Sequence, residues 1–338
     1  MAFAGKLKFP LLVLGCLYGI FAAACFLAPC NYETQNRAVA LAPPTHIHFV
    51  DQNVRFHLRP FVYRWKPRPG SAHEYEEDRT TAVPVYFFVA GWQCNIATII
   101  PSELHLFDTY PKGNVFLLGT DEYGRDVFSR LLYGGQISLF AGLLAAALSV
   151  TLGLIAGALA GYYGRWIDQA VMRASELFLA IPWLYLLLTV RAFLPLHMDP
   201  VGVYMLLIGI AGAIGWARPA RLVRGVVLSG RHREYILAAK GFGASDPYIL
   251  RMHVFPQAYS VAMTQVRLYI PQYIMAEVTL SFFGLGVSEP VPSWGNMLAR
   301  LENVFILESA WWMYSPAVLL VGVLLVFEWF FRSESSRF

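Results

Sequence analysis

The chain has 338 residues, of which 57% are hydrophobic and only 14% charged, with a mean hydropathy of +0.49. Soluble domains carry about 25% charged residues, so this composition excludes an ordinary soluble fold and points to a membrane protein. The net charge of +4 gives no support to a nucleic-acid partner; the basic residues matter for where they sit.

A helix needs about 20 apolar residues to cross a bilayer. The first candidate is FPLLVLGCLYGIFAAACFLA, residues 9–28, preceded by Lys6 and Lys8. LAPC at 27–30 resembles a lipoprotein cleavage site. Pro29 is a poor residue beside a cut, however, and the run exceeds a signal core, so residues 1–29 read as an uncleaved N-terminal anchor. Residues 30–136 read as an extracytoplasmic insert rich in β-structure. HIHFVDQNVRFHLRPF (46–61) alternates polar and apolar residues, VPVYFFV (83–89) looks like a further strand, and KPRPGSAHEYEEDR (66–79) separates them as a loop. His46, His48 and His57 read as a solvated strand face, and no metal site is assigned. Cys16 and Cys25 read as small buried hydrophobes. Cys30 and Cys94 share the aqueous segment; an oxidising compartment would permit a bridge, but unpaired thiols are the preferred reading.

Five further spans follow, at about 137–163, 170–194, 201–217, 259–285 and 310–331. In the second span of the chain, Gly142, Ala146, Gly153, Gly157 and Gly161 recur at helical spacing and suit close backbone packing. The third has a kink expected at Pro182. The fifth is the least apolar, with Gln265, Arg267, Gln272 and Glu277. Glu277 either lines a pathway or ties helices together, the second being preferred, with Gln272 and Arg267 as companions. Arg173 and Glu176 stand at i, i+3 and read as a local ion pair. The expectation is an all-α membrane protein of six helices, with a five-helix core at 137–332 and a tail at 333–338.

Orientation follows from the short loops. The loop between spans four and five carries Arg218, Arg221, Arg224, Arg231, Arg233 and Lys240, whereas PLHMDP (195–200) between spans three and four has neither Lys nor Arg. The basic loops are therefore expected in the cytoplasm, with both termini, in a bacterial-type inner membrane.

REYILAAKGFGAS (233–245) stands out among these loops. Glu234 to Lys240 are good helix formers, Gly241 and Gly243 permit a turn, and Ser245 or Asp246 can cap a second helix with Pro247 in its first turn. That second helix is expected to end at Pro256. Two short helices with little side-chain bulk suit insertion into a partner's groove, or else form an amphipathic loop on lipid headgroups.

The stretch resembles the coupling loop of ABC importer permeases, a pattern of Glu-Ala-Ala, three residues, Gly, and a later Pro. Ala238, Ala239, Gly243 and Pro256 match; the motif's Glu is replaced by Leu237. Glu234, Tyr235, Ala244 and Ser245 follow the peptide-transporter version EYxxAAxxxGAS. LLGTDEYGRDVFSRLLYGGQISL (117–139), with Gly119, Thr120, Asp121, Gly124, Arg125 and Asp126, is similar to the segment before the second span in the oligopeptide/dipeptide/nickel permease family, second-permease type. GYYGRWID (161–168) and LSFFGLGVSEPVPSWGNML (280–298), with Ser293, Trp294 and Gly295, follow in family order.

The resemblance implies the type I importer permease fold, with a coupling loop at 231–256 and the pathway shared with a second, homologous permease. It also implies two cytoplasmic ABC ATPases and an extracytoplasmic substrate-binding protein. The chain itself has no GxxxxGK[ST] phosphate loop, so ATP and Mg are expected on the partners and no cofactor here. Di- or oligopeptides are the expected cargo, with nickel or another small solute as the alternative. A membrane receptor or scaffold, or an outer-face enzyme, is the reading from other classes; no converging catalytic set supports the enzyme. On chemistry alone, GTDEYGRD reads as a turn and helix cap with local charge pairing, and Ser293-Trp294-Gly295 as an interfacial loop with Trp at headgroup level.

Overall fold

A computed structural model describes residues 3–52, 54–68, 70, 74–96, 100–110, 115–195, 199–231 and 233–335. Parts of the loops expected at 66–79 and 195–200, and the end of the tail at 333–338, lie outside the described residues. The elements in order are α1 (Phe3–Ala22), α2 (Ala24–Leu27), β1 (Ile47–Val50), β2 (Phe56–Pro67), β3 (Tyr75–Ile96), β4 (Ile100–Thr109), α3 (Val127–Tyr163), α4 (Arg165–Ala180), α5 (Trp183–Phe193), α6 (Pro200–Ile214), α7 (Ala217–Gly230), α8 (Glu234–Gly241), α9 (Asp246–Ile249), α10 (Phe255–Phe282), α11 (Trp294–Ala299), α12 (Val304–Ser309) and α13 (Ser315–Ser335). They divide into two compact units, one of residues 1–139 and 278–338 and the other of residues 140–277.

Among the described residues, three helical segments are long and apolar enough to cross a membrane: Val127–Tyr163, Pro200–Gly230 and Trp311–Phe331. A fourth is added if α4 and α5, bent by 79° at their junction, count as one span. The expectation of six uniform spans is corrected in three places. Pro182 breaks the third rather than kinking it: Ile181 is extended at φ −82°, ψ 121°, as a residue before proline must be. The fourth does not stop at Ala217, because α7 continues it for 14 residues, so Arg218, Arg221 and Arg224, expected in a loop, lie on a helix. The second begins ten residues early, at Val127, inside the segment expected to be insert.

In the first unit, β1 to β4 form one antiparallel sheet in the order β1-β2-β3-β4. β3 runs for 22 residues. Its first half pairs with β2 and its second half with β4, which makes the chain less purely helical than its hydropathy suggests. The stretch 46–61 is a hairpin rather than one strand, turned where the Asp51 carboxylate accepts the Arg55 N–H at 2.9 Å. Val62, Val83, Val85 and Val115 form the buried core on this sheet.

The cysteine readings are also corrected. Cys25 pairs with Cys94, with Cα atoms 5.7 Å apart, while Cys30 is a free thiol and Cys16 is exposed. α1 ends at Ala22, and Cys25 lies on the short helix α2 that follows it.

In the second unit the glycines of α3 do what their spacing predicts. Gly153, Gly157 and Gly161 face α7, and a Cβ at Gly157 would collide with the Ala220 carbonyl. Charge ties α7 to α4 as well: Arg224 of α7 makes a two-pronged ion pair with Asp168 of α4. Arg221 reaches Glu176 at 3.3 Å, and the local Arg173–Glu176 pair closes at 3.0 Å.

Candidate functional site

The turn between α8 and α9 is built on a buried anchor. Ile236, Ile249, Leu250 and Val254 pack with Ala158, Tyr162, Val223, Val227 and Ala258, so one side of each short helix is committed to the core of the second unit. Gly243 makes the corner. Its φ of +83° is left-handed, a region that costs a residue with a Cβ about 1–2 kcal/mol. Its N–H donates to the Lys240 carbonyl and that of Ala244 to the Ala239 carbonyl, at 2.9 and 3.0 Å, which satisfies the end of α8.

Ser245 takes the N-cap position of α9 without a side-chain bond. Asp246 turns its carboxylate instead to the Tyr162 hydroxyl, which donates to it at 2.5 Å. Lys240 places its ammonium 4.8 Å from the centre of the same Tyr162 ring. Tyr162 therefore fastens both helices, a role its sequence context did not reveal. The helix after Asp246 does not end at Pro256. A π turn, Leu250–Val254, leads directly into α10, and the wider turn absorbs the hydrogen bond that proline cannot donate.

The other side of the turn is bare and apolar. Phe242 is 91% exposed, and Tyr235, Leu237, Tyr248 and Met252 are also exposed. Ala239, Phe242, Gly243, Ala244, Ser245, Tyr248 and His253 line a shallow concavity here. Leu237, at the place of the motif's glutamate, adds apolar surface. Glu234 lies in the first turn of α8, where its charge suits the positive end of the helix.

Two of the sequence-selected residues of the first unit, Asp121 and Arg125, join an ionic network. Arg125 donates to Asp121 at 2.7 Å and to Glu289 at 2.6 Å. Arg130 and Arg300 reach the same Glu289 at 3.0 and 3.1 Å, and Arg300 pairs with Glu122 at 2.7 Å. The local pairing expected at Asp121 and Arg125 forms, and through Glu289 it also joins segments 164 residues apart. Arg130, Glu289 and Arg300 were missed. Their signal was available: an arginine one turn into an apolar helix needs a partner. Burial would raise the Glu289 carboxyl, but Arg130 and Arg125, with Arg300, outweigh it and hold it below its ordinary value.

Asp126 is the helix cap that was expected. Its Oδ2 accepts the Ser129 N–H at 2.8 Å, satisfying a free donor at the start of α3. Burial nevertheless pushes its pKa up to about 6, against those bonds, and its Oδ1 has no hydrogen-bond partner. Thr120 bridges to Asp126 and donates to the Val39 carbonyl. Gly119 and Gly124 both adopt positive φ, and a Cβ at Gly124 would collide with Asn36. Trp294 is corrected from interface to core. It is fully buried, its indole N–H donates to the Leu131 carbonyl at 3.1 Å, and it packs edge-on to Phe21. Ser293 and Asn296 cap α11 reciprocally, which turns the expected loop into a helix start. Gly295 is buried within it, against the Val278 carbonyl.

The three residues selected on α10 separate. Gln272 lines a cavity of about 180 Å³ in the second unit with Trp183, Arg218, Tyr269 and Tyr273. Tyr273 and Ser149 are joined by a hydrogen bond at 2.6 Å beside it. Glu277 is buried near Tyr204 and Arg267 is half-buried; neither lines that cavity.

Residues 149–337 match the family described as "Binding-protein-dependent transport system inner membrane component". The chain is 39% identical over 203 residues to the dipeptide transport system permease protein DppC of Bacillus subtilis (strain 168), covering 60% of this chain and 61% of that protein. It is 36% identical over 187 residues to the oligopeptide transport system permease protein OppC of the same organism, covering 55% and 59%. It is 33% identical over 210 residues to a putative peptide permease protein of Brucella suis biovar 1 (strain 1330), covering 62% and 68%. The chain thus spans about three fifths of the length of the two Bacillus relatives. A solved structure of the MetNI methionine ABC transporter in inward-facing conformations aligns with a TM-score of 0.47 at 17% identity, over 61% of this chain and 93% of that one. With more than half of its residues matched, the chain belongs to the family of binding-protein-dependent transport system inner membrane components.

Proposed function

We propose that this chain is a membrane-spanning permease subunit of an ATP-driven, binding-protein-dependent importer of di- or oligopeptides. The observation that carries the reading is the α8–α9 turn. Its backbone is held by buried side chains, while Phe242, Tyr248 and Leu237 stand bare. Such a surface is costly to leave in water and marks a protein contact. The partners in this reading are two cytoplasmic ABC ATPases, which bind ATP and Mg. A second, homologous permease shares the pathway and an extracytoplasmic protein delivers the substrate. The peptide cargo rests on the names of the relatives; nickel or another small solute is the alternative within the family.

The six crossings of this reading are α1, α3, α4 with α5, α6 with α7, α10 and α13, with both termini in the cytoplasm. Pro200–Gly230 has 31 residues, about 46 Å of helix at 1.5 Å per residue, against a hydrocarbon core of about 30 Å. The arginine end of α7 can therefore stand clear of the lipid on the basic side. The Cys25–Cys94 bridge suits an oxidising outer compartment for the sheet. In operation, closure of the ATPases moves the turn. Because α9 continues through the π turn into α10, that motion reaches the helix carrying Gln272. ATP can drive such a two-state switch only by favouring one state.

The test is Gly243→Glu in the assembled transporter. The variant is expected to reach the membrane at the normal level but to lose substrate-stimulated ATP hydrolysis, or to lose the ATPases on purification. Unchanged stimulation would remove the docking role.

A further inference from the structure

The sheet of the first unit precedes the residues matched by the family, and it carries a cluster that the transport reading does not use. His48 lies on β1, His46 just before it, and Glu77 on β3, with β2 between the two strands. Despite that separation, His46 Nδ1 and His48 Nε2 each lie 3.0 Å from the same oxygen, Glu77 Oε1. The three ligand atoms all fall within 4.8 Å of one another.

We propose that His46, His48 and Glu77 bind a divalent first-row transition-metal ion of the zinc class. Two imidazole nitrogens and one carboxylate oxygen form the donor set that favours such ions over Mg or Ca, which prefer oxygen alone. Three protein ligands leave the fourth position open to water.

Two of the ligands are held in place. His48 sits against the Phe61 and Tyr63 rings, at 5.9 and 5.1 Å between centroids. Glu77 has a side chain only 10% exposed, and its second oxygen accepts from Arg79 Nε at 3.2 Å. This leaves Oε1 to face the histidines and supplies the outer contact that orients a metal-binding carboxylate. His46 is 68% exposed and free to rotate its Nδ1 to the roughly 2.0–2.1 Å bond that zinc takes with nitrogen. The bound ion would tie the edge strand β1 to β3 across β2. His57 stands outside the cluster, hydrogen-bonded to Asp51 at 3.1 Å.

The experiment is calorimetric titration of the full chain in detergent, without a polyhistidine tag, using Zn and then Ca. The expected result is one saturable Zn site per chain, no matching Ca site, and a higher melting temperature with Zn, since binding the folded form stabilises it. His46→Ala and His48→Ala should each weaken Zn by at least about tenfold, because even outer contacts of metal ligands are worth roughly 10–100-fold. His57→Ala should leave binding unchanged. His46 is exposed enough that its replacement leaves the sheet folded, which size-exclusion and melting profiles would check. Absence of saturable Zn binding, affinity unchanged from the parent in the His46→Ala and His48→Ala variants, or Ca binding at the same strength would each overturn the proposal.

Discussion

The Glu289 network and the α8–α9 turn solve opposite problems. In the first, Arg125, Arg130 and Asp121 are almost wholly buried, and each charge has a partner. In the second, apolar side chains are left exposed above a packed anchor. Buried charge that is fully paired acts as scaffold, because removing one member strands the others in a poor solvent. Exposed apolar surface on an ordered backbone contributes little to folding and is available for binding. The sequence motif carries both regions with equal prominence; only their surroundings tell them apart.

The largest expected effect therefore lies in the network. Glu289→Ala leaves Arg125, Arg130 and Arg300 without their shared acceptor, although Asp121 still pairs with Arg125 and Arg130 and Glu122 with Arg300; the cost should stand at or below the lower end of the about 3–5 kcal/mol that a fully stranded buried charge costs. A fall in melting temperature and in folded yield is expected; an unchanged melting curve would break the distinction. Acid should act through the same group. The pKa of Glu289 is depressed in the folded state, so its contribution is present above the ordinary carboxylate range and lost as pH falls below it.

Asp126 should respond with the opposite sign. Its folded pKa is raised to about 6 from 3.8, so stability is full below the unfolded value and declines as pH rises through 6. The Asp126→Asn variant keeps an acceptor for the Ser129 N–H and removes the buried charge. Near pH 8 it should be more stable than the parent by up to about 3 kcal/mol, at 1.36 kcal/mol per pKa unit, with the two converging near pH 4. Melting profiles across that range would check this, and a parent more stable than the variant at pH 8 would contradict it.

The smallest effect on stability is expected at the turn. Phe242→Ala removes a ring that is 91% exposed, and surface changes of this kind stay within about 0.5 kcal/mol. In the proposed assembly, retention of the ATPases on purification should nevertheless drop, since exposed aromatic residues are favoured as interface anchors. If Phe242→Ala instead destabilised the chain while leaving the ATPases bound, the turn would belong with the scaffold.

Much of the helical core was legible because lipid-facing helices announce themselves by length and hydropathy, and the α3 glycines by their spacing. The α8–α9 turn was legible down to Gly243, since a left-handed corner leaves a residue-type signature. Pro256 misled because a proline reads as a stop, whereas here the preceding π turn accommodates it. Trp294 misled because an aromatic residue at the end of a span fits both an interface and a core; Phe21 and the Leu131 carbonyl decide for the core. The reading of Cys25 and Cys94 as unpaired failed because a sequence carries no distances between them.

By itself the sequence determined which segments are apolar, where the chain must turn and which surfaces carry basic charge. These properties depend on neighbours within one or two helical turns. Only the tertiary structure decided which charges meet at Glu289, that Cys25 rather than Cys30 faces Cys94, that Tyr162 fastens α8 and α9, and that His46 and His48 converge on Glu77. Apart from Arg300 and Glu289, which stand 11 positions apart, each of those pairs joins residues at least 29 positions apart. Contacts at such range depend on packing between elements, and no local periodicity encodes them.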